Sequence, residues 1–154
     1  MLPKFINEYN FKLAAKIVPD INLKSGYRVT QSDKDLCTNK GVIYLLVNAD
    51  DEILKIGGSG QTLLDRWRSY KAGTQQARDK GTCSVTNYDV SSYIRDSEEN
   101  LYLYAFVPPV VFTLINLFGQ KKTIQAEVWK EYEKFFLDEF KNTTGDYPLL
   151  SKNK

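Results

Sequence analysis

The run from Gly41 to Gly60, GVIYLLVNADDEILKIGGSG, constrains the fold of this chain more than any other stretch. Val42 to Val47 is rich in β-branched and large apolar residues, a strand signature. Asn48, Asp50 and Asp51 supply a turn, and Ile53 to Ile56 forms the return strand. A two-stranded hairpin is not stable alone in water, so further strands and covering helices are required. LYLYAFV, from Leu101 to Val107, supplies another strand, ended by Pro108 and Pro109. VVFTLINLFGQKKT adds a further strand and a hairpin turn.

Helices are predicted between and after these strands. Thr62, with Asp65 three residues on, is a capping pair for a helix that carries Leu63, Leu64, Trp67 and Tyr70 and ends near Gly73. The polar stretch that follows holds a loop and a short helix from Val90 to Arg95. From Thr123 the periodicity predicts a long amphipathic helix. Its buried stripe would be Ile124, Val128, Tyr132, Phe135, Phe136 and Phe140, and it would end at Asn142 to Gly145. At the other end, PKFINEYNFKLAAKIV has helical periodicity that places Phe5, Ile6, Tyr9, Leu13 and Ile17 on one face. The order predicts an α+β fold: a small antiparallel sheet, made of the hairpin and a central strand, flanked by α-helices. A length of 154 residues suits one domain, with residues 1–39 as an N-terminal extension.

The chain contains no histidine. Histidine general bases, Ser-His-Asp triads and histidine metal cages are therefore excluded. Cys37 and Cys83 form no CxxC pair and are expected to be reduced and buried. No run reaches the roughly 18 apolar residues of a membrane span, and MLPKFINEYN lacks the layout of a secretory signal. A soluble cytoplasmic protein is expected. The net charge is only +2, but its distribution is uneven. From Lys55 to Arg95 the bases Lys55, Arg66, Arg68, Lys71, Arg78, Lys80 and Arg95 outnumber Asp65, Asp79 and Asp89. A local basic surface is the footprint of a polyanion partner.

Side chains alternate along a strand. Val42, Tyr44 and Leu46 thus share a face, and Lys55 on the paired strand is expected beside Tyr44. Arg66 falls about one turn into the next helix, on a different side from Leu63 and Trp67. Glu127 falls in the first turn of the last helix. Singly, these are a core tyrosine, an edge lysine, a solvated arginine and an acid that favours the helix dipole.

Together the residues resemble the GIY-YIG nuclease family. Val42-Ile43-Tyr44, with Gly41 ahead of it, is similar to that family's first triplet. Lys55-Ile56-Gly57 is similar to the second, with Lys in place of the usual Tyr. Arg66-Trp67 resembles the family's arginine position and Glu127 its metal-binding glutamate. The lysine, with RSYKAG, KGTCSVTNY and YAF, resembles the branch of small type II restriction endonucleases. The likeness runs from Gly41 to Phe106 and takes in the Glu127 helix. The family often has a supporting Asn near its C-terminus, for which Asn142 and Asn153 are candidates.

That resemblance implies hydrolysis of double-stranded DNA with one divalent ion, Mg²⁺ or Mn²⁺, held by Glu127. Tyr44 would be the general base, Lys55 a neighbouring positive charge that favours the phenolate, and Arg66 the group that holds the scissile phosphate. Gly57, Gly58 and Gly60 are expected to let the backbone approach a phosphate, and Ser59 among them to contact DNA. Arg68, Lys71 and Arg78 suit phosphates. Lys80, Thr82, Ser84, Thr86 and Asn87, with Lys121 and Lys122, suit base edges. Cutting both strands with one site per chain implies a homodimer, joined through the N-terminal extension or through Pro108 to Phe118. The branch also implies a cognate DNA methyltransferase as a genetic partner. A mobile-element or repair nuclease of the same family, or an inactive DNA-binding protein, is the alternative. The first usually carries an added DNA-binding domain, and the complete set Tyr44, Lys55, Arg66 and Glu127 argues against the second.

Overall fold

The computed structural model describes residues 1–151. In chain order the elements are α1 (Leu2–Tyr9), β1 (Lys12–Pro19), β2 (Tyr27–Gln31), α2 (Lys34–Thr38), β3 (Val42–Val47) and β4 (Ile53–Ser59). There follow α3 (Leu63–Lys71), α4 (Gln75–Asp79), α5 (Val85–Ser97), β5 (Leu101–Phe106), β6 (Val111–Leu117), β7 (Gln120–Ala126), α6 (Trp129–Thr144) and a 3-10 turn (Leu149–Ser151). The expected α+β architecture is observed. One sheet has the order β2-β1-β5-β3-β4 with every pair antiparallel.

Both faces of this sheet are covered. Val42, Tyr44 and Leu46 of β3 face a core with Trp67 and Tyr70 of α3 and Val90 and Ile94 of α5. Ile43, Leu45 and Val47 face a second core with Phe5 of α1 and Phe136 and Leu137 of α6. All six β3 residues are buried, which explains its unbroken apolar run: a strand covered on both faces has no polar alternation. At the β4 edge, the Ser151 hydroxyl accepts from the Ile56 amide and donates to the Ile56 carbonyl, each at 3.1 Å. The C-terminal turn thereby satisfies groups that an edge strand leaves open.

Three expectations are corrected. The N-terminal periodicity is not one helix. Asn10 adopts the left-handed conformation (φ 59°) that ends α1, and Leu13 and Ile17 then lie on β1, which pairs with β5 inside the sheet. The glycines do not end the return strand, because Gly57 and Gly58 belong to β4 and pair with Tyr44 and Ile43. The last helix starts at Trp129 rather than Thr123, since Thr123 and Ile124 lie on β7. Phe135 is consequently exposed, and Leu137 is buried in its stead. Thr62 caps α3 as expected, accepting from the Asp65 amide at 3.1 Å. Cys37 is buried, Cys83 half-buried, and both are free. Among the described residues no helix is long and apolar enough to cross a membrane.

Candidate active site

Tyr44 lies in the middle of β3 with its ring edge-on to Trp67, centroids 5.4 Å apart. Gly57 stands opposite it on β4. A Cβ there would collide with the Tyr44 hydroxyl, so the glycine makes room for the phenol. The Tyr44 and Tyr70 hydroxyls are 2.5 Å apart. The Arg66 guanidinium sits 4.3 Å from the centre of the Tyr70 ring. Its Nη1 reaches Asn87 Oδ1 of α5 at 3.5 Å, at the limit of a hydrogen bond. Helix geometry sets this cluster: Arg66 and Tyr70 are four residues apart on α3 and so share a face.

Burial pushes the Tyr44 pKa up, while the Arg66 charge and the hydrogen bond with Tyr70 pull it back only in part. Tyr70 is pushed well above the ordinary tyrosine value, by burial first and then by Tyr44. The shared hydrogen bond lowers the pKa of Tyr44 and raises that of Tyr70. Both phenols are thus held in the neutral form above the ordinary tyrosine range, and either hydroxyl can donate the hydrogen bond they share.

Lys55 is buried, but it is not directly across from Tyr44. It pairs with Leu46, two residues along β3 from Tyr44 and on the same face, and its Nζ donates to the Leu150 carbonyl at 3.1 Å. Glu127 lies just ahead of α6 rather than in its first turn, and it is exposed. It lines a cavity of about 370 Å³ with Lys40, Gly60, Pro108 and Trp129. Glu127 Oε1 lies 3.6 Å from where a Gly60 Cβ would be, and a second carboxylate, not foreseen from the sequence, borders the same glycines. Glu133 Oε2 lies 2.7 Å from where a Gly58 Cβ would be, and its charge acts on Tyr44. The Trp129 ring crosses the same glycines, its Nε1 2.9 Å from the corresponding position at Gly60. Gly58 and Gly60 therefore give space to α6 side chains. None of Gly57, Gly58 and Gly60 has positive φ.

The predicted DNA-contacting residues are spread over several elements. Lys71, Lys80 and Thr82, with Lys24, line a cavity of about 610 Å³. Asn87 touches Arg66. Ser84 caps α5 by accepting from the Asn87 amide, and Thr86 sits beside it on the first turn. Arg68 is exposed and pairs with Asp65 at 3.2 Å, while Arg78 lies over Tyr88. Ser59 accepts from the Gln61 amide at the end of β4. Lys121 and Lys122 are on β7, away from the Tyr44 cluster in the fold's second, two-stranded sheet. Asn142 is exposed on α6, and Asn153 lies outside the described residues.

An antiparallel sheet between two helical layers thus carries a tyrosine pair with Arg66 over one ring, and a carboxylate, Glu133, on α6. The chain is similar to the solved structure of restriction endonuclease HPY188I in complex with product DNA. They share 28% identity and a TM-score of 0.67 over 96% of this chain and 83% of that one. It is also similar in fold to a mutant of bacteriophage T4 EndoII, at 18% identity and a TM-score of 0.64, over 90% of this chain and 94% of that one. No family model and no curated protein matches. The expected membership of the GIY-YIG family is therefore corrected: no model of that family recognises the chain, and the similar structures are described as a restriction endonuclease and as EndoII. The likeness stands with those two proteins.

Proposed function

We infer that the chain is a site-specific endonuclease that hydrolyses phosphodiester bonds in double-stranded DNA, of the type II restriction kind. One observation carries this reading: near-complete coverage, at 28% identity, by a restriction endonuclease bound to product DNA. The site chemistry agrees with it. Hydrolysis requires a base for the attacking water and positive charge for the phosphate oxygens. Tyr44 is the base, since its phenolate accepts the water proton while Tyr70 donates a hydrogen bond to the same oxygen. Arg66 is the phosphate ligand. Its guanidinium lies over the Tyr70 ring, and its positive charge acts on Tyr44. Lys55 contributes positive charge from the same strand face.

Among the described residues no group of three or more His, Cys, Asp or Glu could form a closed metal cage. A single carboxylate is nevertheless enough for Mg²⁺, which keeps most of its waters and takes phosphate oxygens as further ligands. Glu133, beside the space left open at Gly58, fits that role better than the exposed Glu127. A bound divalent ion, Mg²⁺ or Mn²⁺, would supply charge neutralisation at the phosphate and at the leaving oxygen. The basic groove of Lys24, Lys71 and Lys80 suits the DNA backbone, and Asn87 and Thr86 beside Arg66 suit base edges. Two copies, one per strand, complete a double-strand cut, and a DNA methyltransferase encoded nearby would protect the host.

Incubation with supercoiled plasmid tests the proposal. Discrete linear fragments with Mg²⁺, and none with chelator, are expected. Binding without any cutting would replace it with a DNA-binding role.

A further inference from the structure

We propose that the β6–β7 hairpin is the arm through which two copies of this chain associate. The two strands form a sheet of their own, paired only with each other. A two-stranded hairpin is not stable in isolation, and this one turns apolar groups to solvent. Phe112 is 64% exposed, Leu114 61%, Val110 61% and Phe118 106%. Phe112 and Leu114 are alternate residues of β6 and share a face, while Val110 lies just ahead of the strand and Phe118 in the turn beyond it. On the opposite face Ile115 and Ile124 are half-buried, but Val111 and Leu117 are 40% and 47% exposed. The exposed face thus has no cover of its own.

Size favours a second copy as the occupant. An aromatic side chain presents about 150–250 Å², so the two phenylalanines expose roughly 340 Å². Val110 and Leu114 bring the apolar total to about 450 Å², taking roughly 100 Å² for a whole aliphatic side chain. A standard interface takes about 800 Å² from each partner, some 60% of it apolar. The hairpin therefore carries close to the whole apolar share of a symmetric interface. A two-fold axis places the same patch on both sides. Thr123 and Gln125 lie across the ladder from Leu114 and Phe112, and Lys121, across from Asn116, adds one positive charge at the turn end of this face. The arm also continues through Ala126 and Glu127 into α6, which carries Trp129 and Glu133. Association would brace the helix that borders the phenol cluster.

Phe118 adds an independent sign. It and Gly119 are the two central residues of the hairpin turn, with φ of 55° and 91°. Asn-Gly fits such a turn and a bulky residue does not. A fully exposed phenylalanine there is poor for the hairpin and useful only in a contact.

The requirement for two copies rests on the endonuclease reading; the choice of surface does not. Light scattering and sedimentation of the full chain, the Phe112→Glu/Leu114→Glu variant and Phe118→Asn provide the test. The expected results are a dimer for the natural chain, a monomer with unchanged circular dichroism for the double variant, and a dissociation constant raised about tenfold or more for Phe118→Asn. Phe118→Asn suits the turn and cannot fail by unfolding it. A natural chain that is monomeric at ~100 μM, or a Phe118→Asn variant that dimerises as tightly as the natural chain, overturns the proposal. A dimer that never cuts DNA leaves the arm standing and removes the endonuclease reading; a monomer that cuts does the reverse.

Discussion

Replacing Tyr44 with Phe removes one oxygen from the centre of the site and leaves the ring packed against Trp67. Two consequences follow, and they separate. The Tyr70 hydroxyl, inside a fully buried side chain, loses its partner, and a buried unsatisfied group costs about 1–3 kcal/mol. For a chain of this length that lowers Tm by roughly 2–10 °C. Loss of the base lowers the cleavage rate by about 10²–10⁴-fold. Tyr70→Phe should cost similar stability, because the buried Tyr44 hydroxyl then loses its phenol partner and keeps only Arg66. Its rate loss should be smaller, roughly 10–150-fold, corresponding to a hydrogen bond of about 1.5–3 kcal/mol to a charged acceptor. In the double variant Tyr44→Phe/Tyr70→Phe neither oxygen remains. Stability should return to within about 1 kcal/mol of the natural chain, since replacing both partners is nearly neutral, while activity stays as low as in Tyr44→Phe. Thermal melts, single-turnover cleavage of a duplex and duplex binding in chelator measure the three quantities. Tyr44→Phe that cuts within about tenfold of the natural rate would refute the role of the phenol. A double variant that regains activity together with stability would show that the pair is merely structural.

Other changes test the surroundings. Glu133→Gln should abolish metal-dependent cleavage, whereas Glu127→Gln should keep it within about tenfold; the opposite ranking, in a titration of rate against Mg²⁺, would return the metal to Glu127. Gly57→Ala forces a methyl group onto the Tyr44 hydroxyl, so it should cost about 1–3 kcal/mol by overpacking and also slow cleavage, as chemical denaturation and rate assays would show. The base must be ionised and burial raises its pKa, so the rate should climb with pH through neutrality toward alkaline values; a rate independent of pH between about 7 and 9 contradicts this. Tyr27 is pushed up to about 12 by burial, and Tyr44 and Tyr70 are raised with it. The folded state therefore holds these protons more tightly than the unfolded chain, whose tyrosines titrate near 10. Their contribution is complete below pH ~10 and is lost as pH rises through the folded values, toward about 12 for Tyr27, a loss that circular dichroism during an alkaline titration would follow.

The legible parts of this fold were those written in local pattern. The β3 run, its acidic turn, the Thr62 cap and the β5 strand with its Pro-Pro stop all lie where the residues put them. The errors came where one local pattern fits two structures. Thr123 to Val128 satisfies a helical stripe, but β-branched Thr123 and Ile124 beside a Phe-Gly turn also make a strand, and pairing with β6 decides the matter. The later start places Glu127 just ahead of α6 and Glu133 about one turn into it. Asn10 was an available stop signal for α1, overridden by an apolar period running on into β1. Tyr70 was visible only as a core residue, because its contact with Tyr44 depends on how α3 lies across the sheet. Gly57 looked like a chain breaker, yet it is a strand residue whose missing side chain admits a phenol.

The central claim, that this chain cuts DNA at a fixed sequence, is tested most directly by sequencing the ends produced when it digests a mixed-sequence DNA with Mg²⁺. The account predicts one short, shared, two-fold symmetric sequence at every end, and no ends at all with Tyr44→Phe. Ends without common sequence, or intact DNA under the same conditions, would contradict it.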